Sequence, residues 1–111
     1  MKIKLRKDYS RITQHKHRLS PDKIYTVIGI EADNYRVIDD AEEPVLFSPK
    51  LFEVVDAQEP DDWVTEYGTE GERYSYPPQL ASAGFFEDFF DGDQEVKQVF
   101  WNYVKKANIL D

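Results

Sequence analysis

The amino-acid sequence predicts a small α+β protein in which an antiparallel sheet, curled or closed into a small barrel, precedes two helices. Between residues 24 and 76, β-branched and aromatic residues occur in short runs that turn-forming residues separate, a pattern typical of antiparallel strands. From residue 84 onward, the apolar residues repeat instead with the spacing of a helix. The 111 residues fit one domain, so we expect a sheet over about residues 1–76 and a helical extension over about residues 79–108.

The first half of the chain supplies most of the predicted strands. Lys2–Lys7 alternates polar and apolar residues, which indicates a short strand. Ile24–Asp39 predicts a hairpin that turns at residues 32–34, and Gly29 within its first strand suggests a bulge or a bend. Val45–Phe47 and Leu51–Asp56 predict two further strands, so that closely spaced strands joined by turns favour a small barrel or meander.

A second hairpin and two helices are predicted downstream. Trp63–Tyr67 and Arg73–Tyr76 flank a glycine-containing turn, and two prolines end the second strand because proline donates no hydrogen bond to a sheet. The spacing of the phenylalanines in Gly84–Asp91 predicts a short helix with its rings on one side. Gln94–Ala107 carries the strongest helical pattern of the chain, and Asp93 is the predicted N-cap.

Part of the chain resembles a group of small bacterial proteins. The resemblance covers about residues 19–56, roughly a third of the chain, and four segments carry it, namely residues 19–31, 35–37, 43–47 and 51–56. They are similar to small uncharacterised bacterial proteins with SH3-like barrels, which often look like immunity partners of bacterial toxins. The resemblance implies an SH3-like barrel and, by analogy only, a toxin-immunity function.

Charge is distributed unevenly along the sequence. Residues 1–25 hold eight Lys and Arg residues against two Asp, whereas the whole chain has a net charge of −8. The remaining residues therefore carry a strongly negative charge, which disfavours nucleic acid as the main partner because phosphates repel a net anion. The basic N-terminal segment either neutralises the acidic remainder internally or forms a local basic face, and the sequence leaves both open.

The sequence carries no recognisable catalytic signature, so we expect neither an enzyme nor a bound cofactor. The chain has no cysteine, which excludes disulfides and thiolate ligands. His15 and His17 lack a nearby third ligand and are interpreted as surface residues rather than a metal site. No apolar run is long enough to span a membrane or to form a secretory signal, so the expected location is the cytoplasm.

These observations favour a cytoplasmic protein-binding module, most concretely an immunity-type inhibitor of a basic toxin domain such as a nuclease. Such a module would be attracted to a cationic partner by charge complementarity. The residues predicted to bind the partner are nine acids and five aromatic anchors: Asp61, Asp62, Glu66, Glu70, Glu72, Glu87, Asp88, Asp91 and Asp93, with Trp63, Tyr74, Tyr76, Phe86 and Phe90. A nucleic-acid-associated barrel that uses the basic N-terminal segment and an accessory domain are the alternatives, and the oligomeric state is open.

Overall fold

The computed structural model describes residues 1–8 and 19–110. It contains seven strands: β1 (Lys2–Leu5), β2 (Tyr25–Glu31), β3 (Asn34–Ile38), β4 (Pro44–Phe47), β5 (Phe52–Asp56), β6 (Val64–Tyr67) and β7 (Arg73–Tyr76). Two helices follow them, α1 (Phe85–Phe90) and α2 (Gln94–Lys106). Single 3-10 turns at Pro49–Leu51 and Pro78–Leu80 connect neighbouring elements.

All seven strands belong to one antiparallel sheet organised around β2. The strands run in the order β4-β3-β2-β1-β5, and β7 also pairs with β2 while β6 pairs with β7. One edge of β2 pairs with β3, and the other is shared between β1 near Tyr25 and β7 at Ile30. Within the described residues β4 does not pair with β5, so the sheet is not closed into a barrel.

An extra residue interrupts the pairing between β2 and β3. Val27 lies opposite Val37, but Gly29 lies opposite Arg36, so that Ile28 is inserted without a partner. Such a bulge shifts the alternation of side chains along the strand. The predicted irregularity at Gly29 is therefore confirmed as a register shift beside it.

β2 contributes to two hydrophobic cores on opposite faces of the sheet, and the bulge places Val27 and Ile30, three residues apart, in the same core. The first core contains Ile3, Leu5, Leu19, Tyr25, Val27, Ile30, Val37, Phe47 and Phe52. The second core lies under the helices and contains Ile28, Ile38, Tyr76, Leu80, Phe85, Phe86, Phe89, Phe100 and Val104. Val37 and Ile38 belong to different cores because successive residues of a strand point to opposite faces.

The two helices form where the sequence predicts them, and three of the four phenylalanine rings of α1 are buried. Asp93 caps α2 by accepting hydrogen bonds from the backbone amides of Glu95 at 3.0 Å and Val96 at 3.1 Å. In α1 three rings are buried and Phe90 is 51% exposed, so of the two rings named as exposed anchors, Phe90 is exposed and Phe86 is buried. Phe90 lies at the edge of the arc that the four ring positions cover on the helix.

The fold is thus the predicted α+β arrangement of an antiparallel sheet with two C-terminal helices. The predicted strand at Lys2–Lys7 ends earlier, at Leu5, and the predicted fourth strand starts at Phe52 because Leu51 closes a 3-10 turn. Both hairpins form as expected.

Candidate protein-binding groove

A groove lies between the β6–β7 hairpin and α1, with a volume of about 780 Å³. We call it the anionic groove. Its lining includes four acids, one arginine and five aromatic residues: Glu31, Glu66, Glu87, Asp91, Arg36, Tyr74, Tyr76, Phe85, Phe86 and Phe90. The small residues from Ala81 to Gly84, which connect the second 3-10 turn to α1, also line the groove.

Two aromatic rings in contact form the floor of the groove. Tyr76 of β7 and Phe86 of α1 are only 8% and 6% exposed, and their ring centroids lie 5.2 Å apart. Gly29 makes this packing possible, since a Cβ atom at that position would overlap the Tyr76 ring. The floor is therefore built jointly by the sheet and the first helix.

A buried arginine lies within this floor. The Arg36 guanidinium donates Nε to the hydroxyl of Tyr76 at 3.0 Å and Nη2 to Oε1 of Glu31 at 2.9 Å. Its Nη1 donates to the carbonyl of Pro44 at 3.0 Å. These bonds satisfy the arginine and pair its charge, as burial of a charged group requires.

Tyr76 completes the network as a neutral hydroxyl. It accepts a hydrogen bond from Arg36 and donates one to Glu31 at 2.9 Å. Burial raises the pKa of Tyr76 well above its usual value, which keeps the proton on the phenol over the physiological pH range. The network links β2, β3 and β7. Within it, Glu31 neutralises Arg36, the only positively charged residue among the described lining residues.

The described residues that line the groove carry a net negative charge. Glu31 and Arg36 neutralise each other, which leaves Glu66, Glu87 and Asp91 as exposed carboxylates without a compensating cation in the lining. Phe90, exposed beside them, provides apolar surface at the rim. Carboxylates next to accessible rings are suited to bind a cationic side chain with an aliphatic stem.

Seven of the fourteen residues predicted to bind a partner line this groove. They are Glu66, Tyr74, Tyr76, Phe86, Glu87, Phe90 and Asp91. Tyr76 and Phe86 lie in the floor as buried residues, not as protruding anchors. Sequence reasoning does not identify Glu31 or Arg36 as groove residues. The one available signal is Arg36 itself, a charged residue between Tyr35 and Val37 in a strand of mostly apolar residues.

The other seven predicted residues lie outside the groove lining. Trp63 is half-buried against the first core, and Arg73 approaches its ring at 5.9 Å. Asp93 caps α2, and Glu72 accepts a hydrogen bond from the backbone amide of Glu70 at 3.0 Å. Asp61, Asp62 and Asp88 are exposed.

Basic residues of the N-terminal segment pair with acids away from the groove. Lys4 lies 3.2 Å from Glu53, and Lys23 lies 2.9 Å from Asp40. Arg6 pairs with its neighbour Asp8. Across residues 1–8 and 19–110, none of the nine predicted acids forms an ion pair with a lysine or arginine, so these described bases do not neutralise the groove.

His15 and His17, which were interpreted as surface histidines, lie outside the described residues. Among the residues that are described, no group of three or more His, Cys, Asp or Glu side chains has the arrangement of a metal site. In the same part of the chain, no helix has the length and apolarity needed to cross a membrane.

Comparison of the chain with protein-family models, with curated proteins and with solved structures gives no match.

Proposed function

We propose that this chain is a protein-binding module whose anionic groove receives basic side chains of a partner protein. The observation that carries the proposal is the charge of the groove, where three exposed carboxylates face one arginine that Glu31 already neutralises. A cation entering the groove would meet no competing positive group among the described lining residues.

The surface chemistry suits fast and specific association. A concave negative surface attracts a basic partner over a distance and raises the association rate at low ionic strength. Phe90 and Tyr74 add aromatic contact area, which contributes strongly to affinity when it is removed from water. The partner chemistry that fits is a protein surface rich in lysine or arginine.

The most concrete form of this proposal is an immunity-type inhibitor of a basic bacterial toxin domain. A nuclease needs a positive groove to hold its substrate, and an anionic module can occupy that groove and exclude the nucleic acid. The SH3-like character of the sheet is part of the same proposal. It is supported by the bulged β2, which pairs with β1 and β7 along one edge.

Neutralising the groove tests the binding mode directly. The groove variant combines Glu66→Gln, Glu87→Gln and Asp91→Asn, and the matched control combines Glu42→Gln, Asp88→Asn and Glu95→Gln, which are exposed acids outside the groove lining. A fluorescent lysine-rich peptide serves as the probe in anisotropy titrations at low salt. We expect at least about a tenfold loss of affinity for the groove variant and less than about twofold for the control. Equal losses would show that only net charge matters and would overturn the role of the groove.

The immunity function has its own test. If a basic nuclease toxin domain is encoded next to this chain, its inactive form should bind the unaltered chain in a one-to-one complex, and the active form should be inhibited. The groove variant should inhibit it less than the control variant does. A neighbouring toxin domain that neither binds nor loses activity would contradict the immunity function.

A further inference from the structure

Within residues 1–8 and 19–110, no strand pairs with the outer edge of β6. Among the described residues β6 pairs with β7 alone, and all four of its residues are exposed, with Val64 at 46% and Tyr67 at 69%. Edge strands in natural proteins are commonly protected by proline, lysine or a bulge. Val64–Tyr67 has none of these, and its one charged residue, Glu66, repels an acidic segment but attracts a basic one. Its β-branched and aromatic residues are well suited to pair with another strand.

The register of the hairpin defines which backbone groups face outward. The amide of Gly68 donates to the carbonyl of Glu72 at 2.8 Å, so this pair is of the hydrogen-bonded type. Since hydrogen-bonded and non-hydrogen-bonded pairs alternate in an antiparallel ladder, Glu66–Tyr74 is hydrogen-bonded, whereas Thr65–Ser75 and Tyr67–Arg73 are not. The N–H and C=O groups of Thr65 and Tyr67 therefore point away from β7.

The segment that contains β6 is acidic, and Arg73, which lies opposite Tyr67, is paired with Glu59. Residues 61–72 contain five acids and no lysine or arginine. The other two outer strands are less suited to a cationic partner. β4 begins with Pro44, and the side chain of Glu53 in β5 is already paired with Lys4. Charge complementarity thus favours a basic segment at β6 over the other edges.

We propose that an extended basic segment of the partner adds as an antiparallel strand beside β6. It would bond to the outward backbone groups of Thr65 and Tyr67, and alternate side chains would lie on the same face as Glu66 and enter the anionic groove. This inference rests on the proposed function and specifies how the partner binds. In the added strand, the backbone amide of the residue opposite Glu66 points away from β6. The amides of the residues opposite Thr65 and Tyr67 point toward β6 and form the hydrogen bonds.

A capped peptide of alternating lysine and threonine, about seven residues long, tests this geometry. When its lysine side chains lie on the groove face, the backbone amides of its threonines point toward β6. Two further versions carry N-methyl groups on the threonine amides or on the lysine amides, with identical charge. We expect about a tenfold loss of affinity for the threonine-methylated peptide and less than about twofold for the lysine-methylated one. Equal affinity of all three peptides, or the opposite preference, would overturn strand addition.

Substitutions at Thr65 provide the complementary test. Thr65→Pro removes the outward amide without removing a bond to β7, whereas Thr65→Val loses the hydroxyl contact with Ser75 but keeps the amide. We expect the proline variant to bind the unmethylated peptide about tenfold more weakly and the valine variant to bind it within about twofold of the unaltered chain. Equal binding by both variants would overturn the proposal.

Amide hydrogen exchange provides a third test, which uses the unaltered chain and therefore remains valid if the Thr65→Pro variant does not fold. Addition of the peptide should slow exchange at Thr65 and Tyr67, and unchanged exchange at both would overturn strand addition. The results distinguish a failure of strand addition at β6 from a failure of the proposed binding function. If the three peptides bind equally but the groove variant still loses affinity, strand addition is wrong and the groove stands; if no peptide binds at low salt, the proposed function fails.

Discussion

The guanidinium carbon of Arg36 lies 4.1 Å from the centroid of the Phe86 ring. This contact joins β3 to α1, two elements separated by nearly half of the chain. Because the same arginine also bonds to Glu31 and Tyr76, the position of the helix and the shape of the groove depend on one buried side chain.

Replacing that arginine should weaken the whole second core. Arg36→Met removes three hydrogen bonds and leaves Glu31 beside an apolar neighbour, so we expect a loss of about 2 to 4 kcal/mol in the free energy of unfolding. Adding Glu31→Gln should restore part of the loss by removing the uncompensated carboxylate. Urea denaturation measures both variants, and a loss below about 0.5 kcal/mol for Arg36→Met would contradict a stabilising network.

The close approach at Gly29 gives a second prediction. A Cβ atom there would lie 2.1 Å from Cδ1 of Tyr76 and 3.0 Å from the carbonyl oxygen of Ser75. Since hydrogen bonds hold Tyr76 in place, Gly29→Ala should destabilise the fold by about 1 to 3 kcal/mol. In a Tyr76→Leu background the same substitution should cost less, and thermal denaturation of the double-mutant cycle measures the coupling. Additive effects would show that the ring is not the obstacle.

Acid sensitivity should depend on Glu59. Its two carboxylate oxygens accept hydrogen bonds from the Arg73 guanidinium, which lowers the pKa of Glu59 below its ordinary value of 4.5. A lowered carboxyl pKa in the folded state stabilises the fold fully above pH 4.5 and progressively less as the pH falls through the folded pKa.

Glu59→Gln should therefore cost about 1 to 2 kcal/mol at pH 7 and make the free energy of unfolding less dependent on pH below 4.5. Glu70→Gln, an equal charge change at an exposed position, is the control. Urea midpoints measured from pH 7 to pH 3 provide the test. Parallel curves for the two variants would rule out the Glu59–Arg73 pair as the source of the dependence.

Asp93 allows capping to be separated from charge. Asp93→Ala and Asp93→Asn remove the same charge, but asparagine can still accept the bonds from the amides of Glu95 and Val96. We expect Asp93→Ala to lose about 1 kcal/mol of stability and Asp93→Asn to lose much less, as measured by urea denaturation. Both variants should bind the lysine-rich probe alike, because Asp93 lies outside the groove lining. Unequal affinities would assign Asp93 a direct role in binding.

The strands and helices could be predicted because their signals are local. The hairpin at β2 and β3 and the cap at Asp93 each depend on residues close in sequence. Spacing alone does not define which face of α1 the second core covers, so Phe86 and Phe90 are both predicted as anchors although only Phe90 is exposed.

The groove could be predicted only in part. Its acids and rings were recognised as chemical types, but Glu31 and Tyr76 are 45 residues apart and their contact is a property of the sheet. The pairing of β7 with β2, which brings them together, has no local signature.

The unpaired residue Ile28 determines which face of the sheet each later side chain of β2 points to. Without it, strict alternation would turn Ile30 toward the helices and Glu31 toward the opposite side, away from Arg36 and Tyr76. The arginine would then lose its counter-ion, and the groove would gain a positive charge at its floor. One inserted peptide unit thus determines whether the arginine beneath the groove is paired or competes with the cationic side chain that a partner would bring.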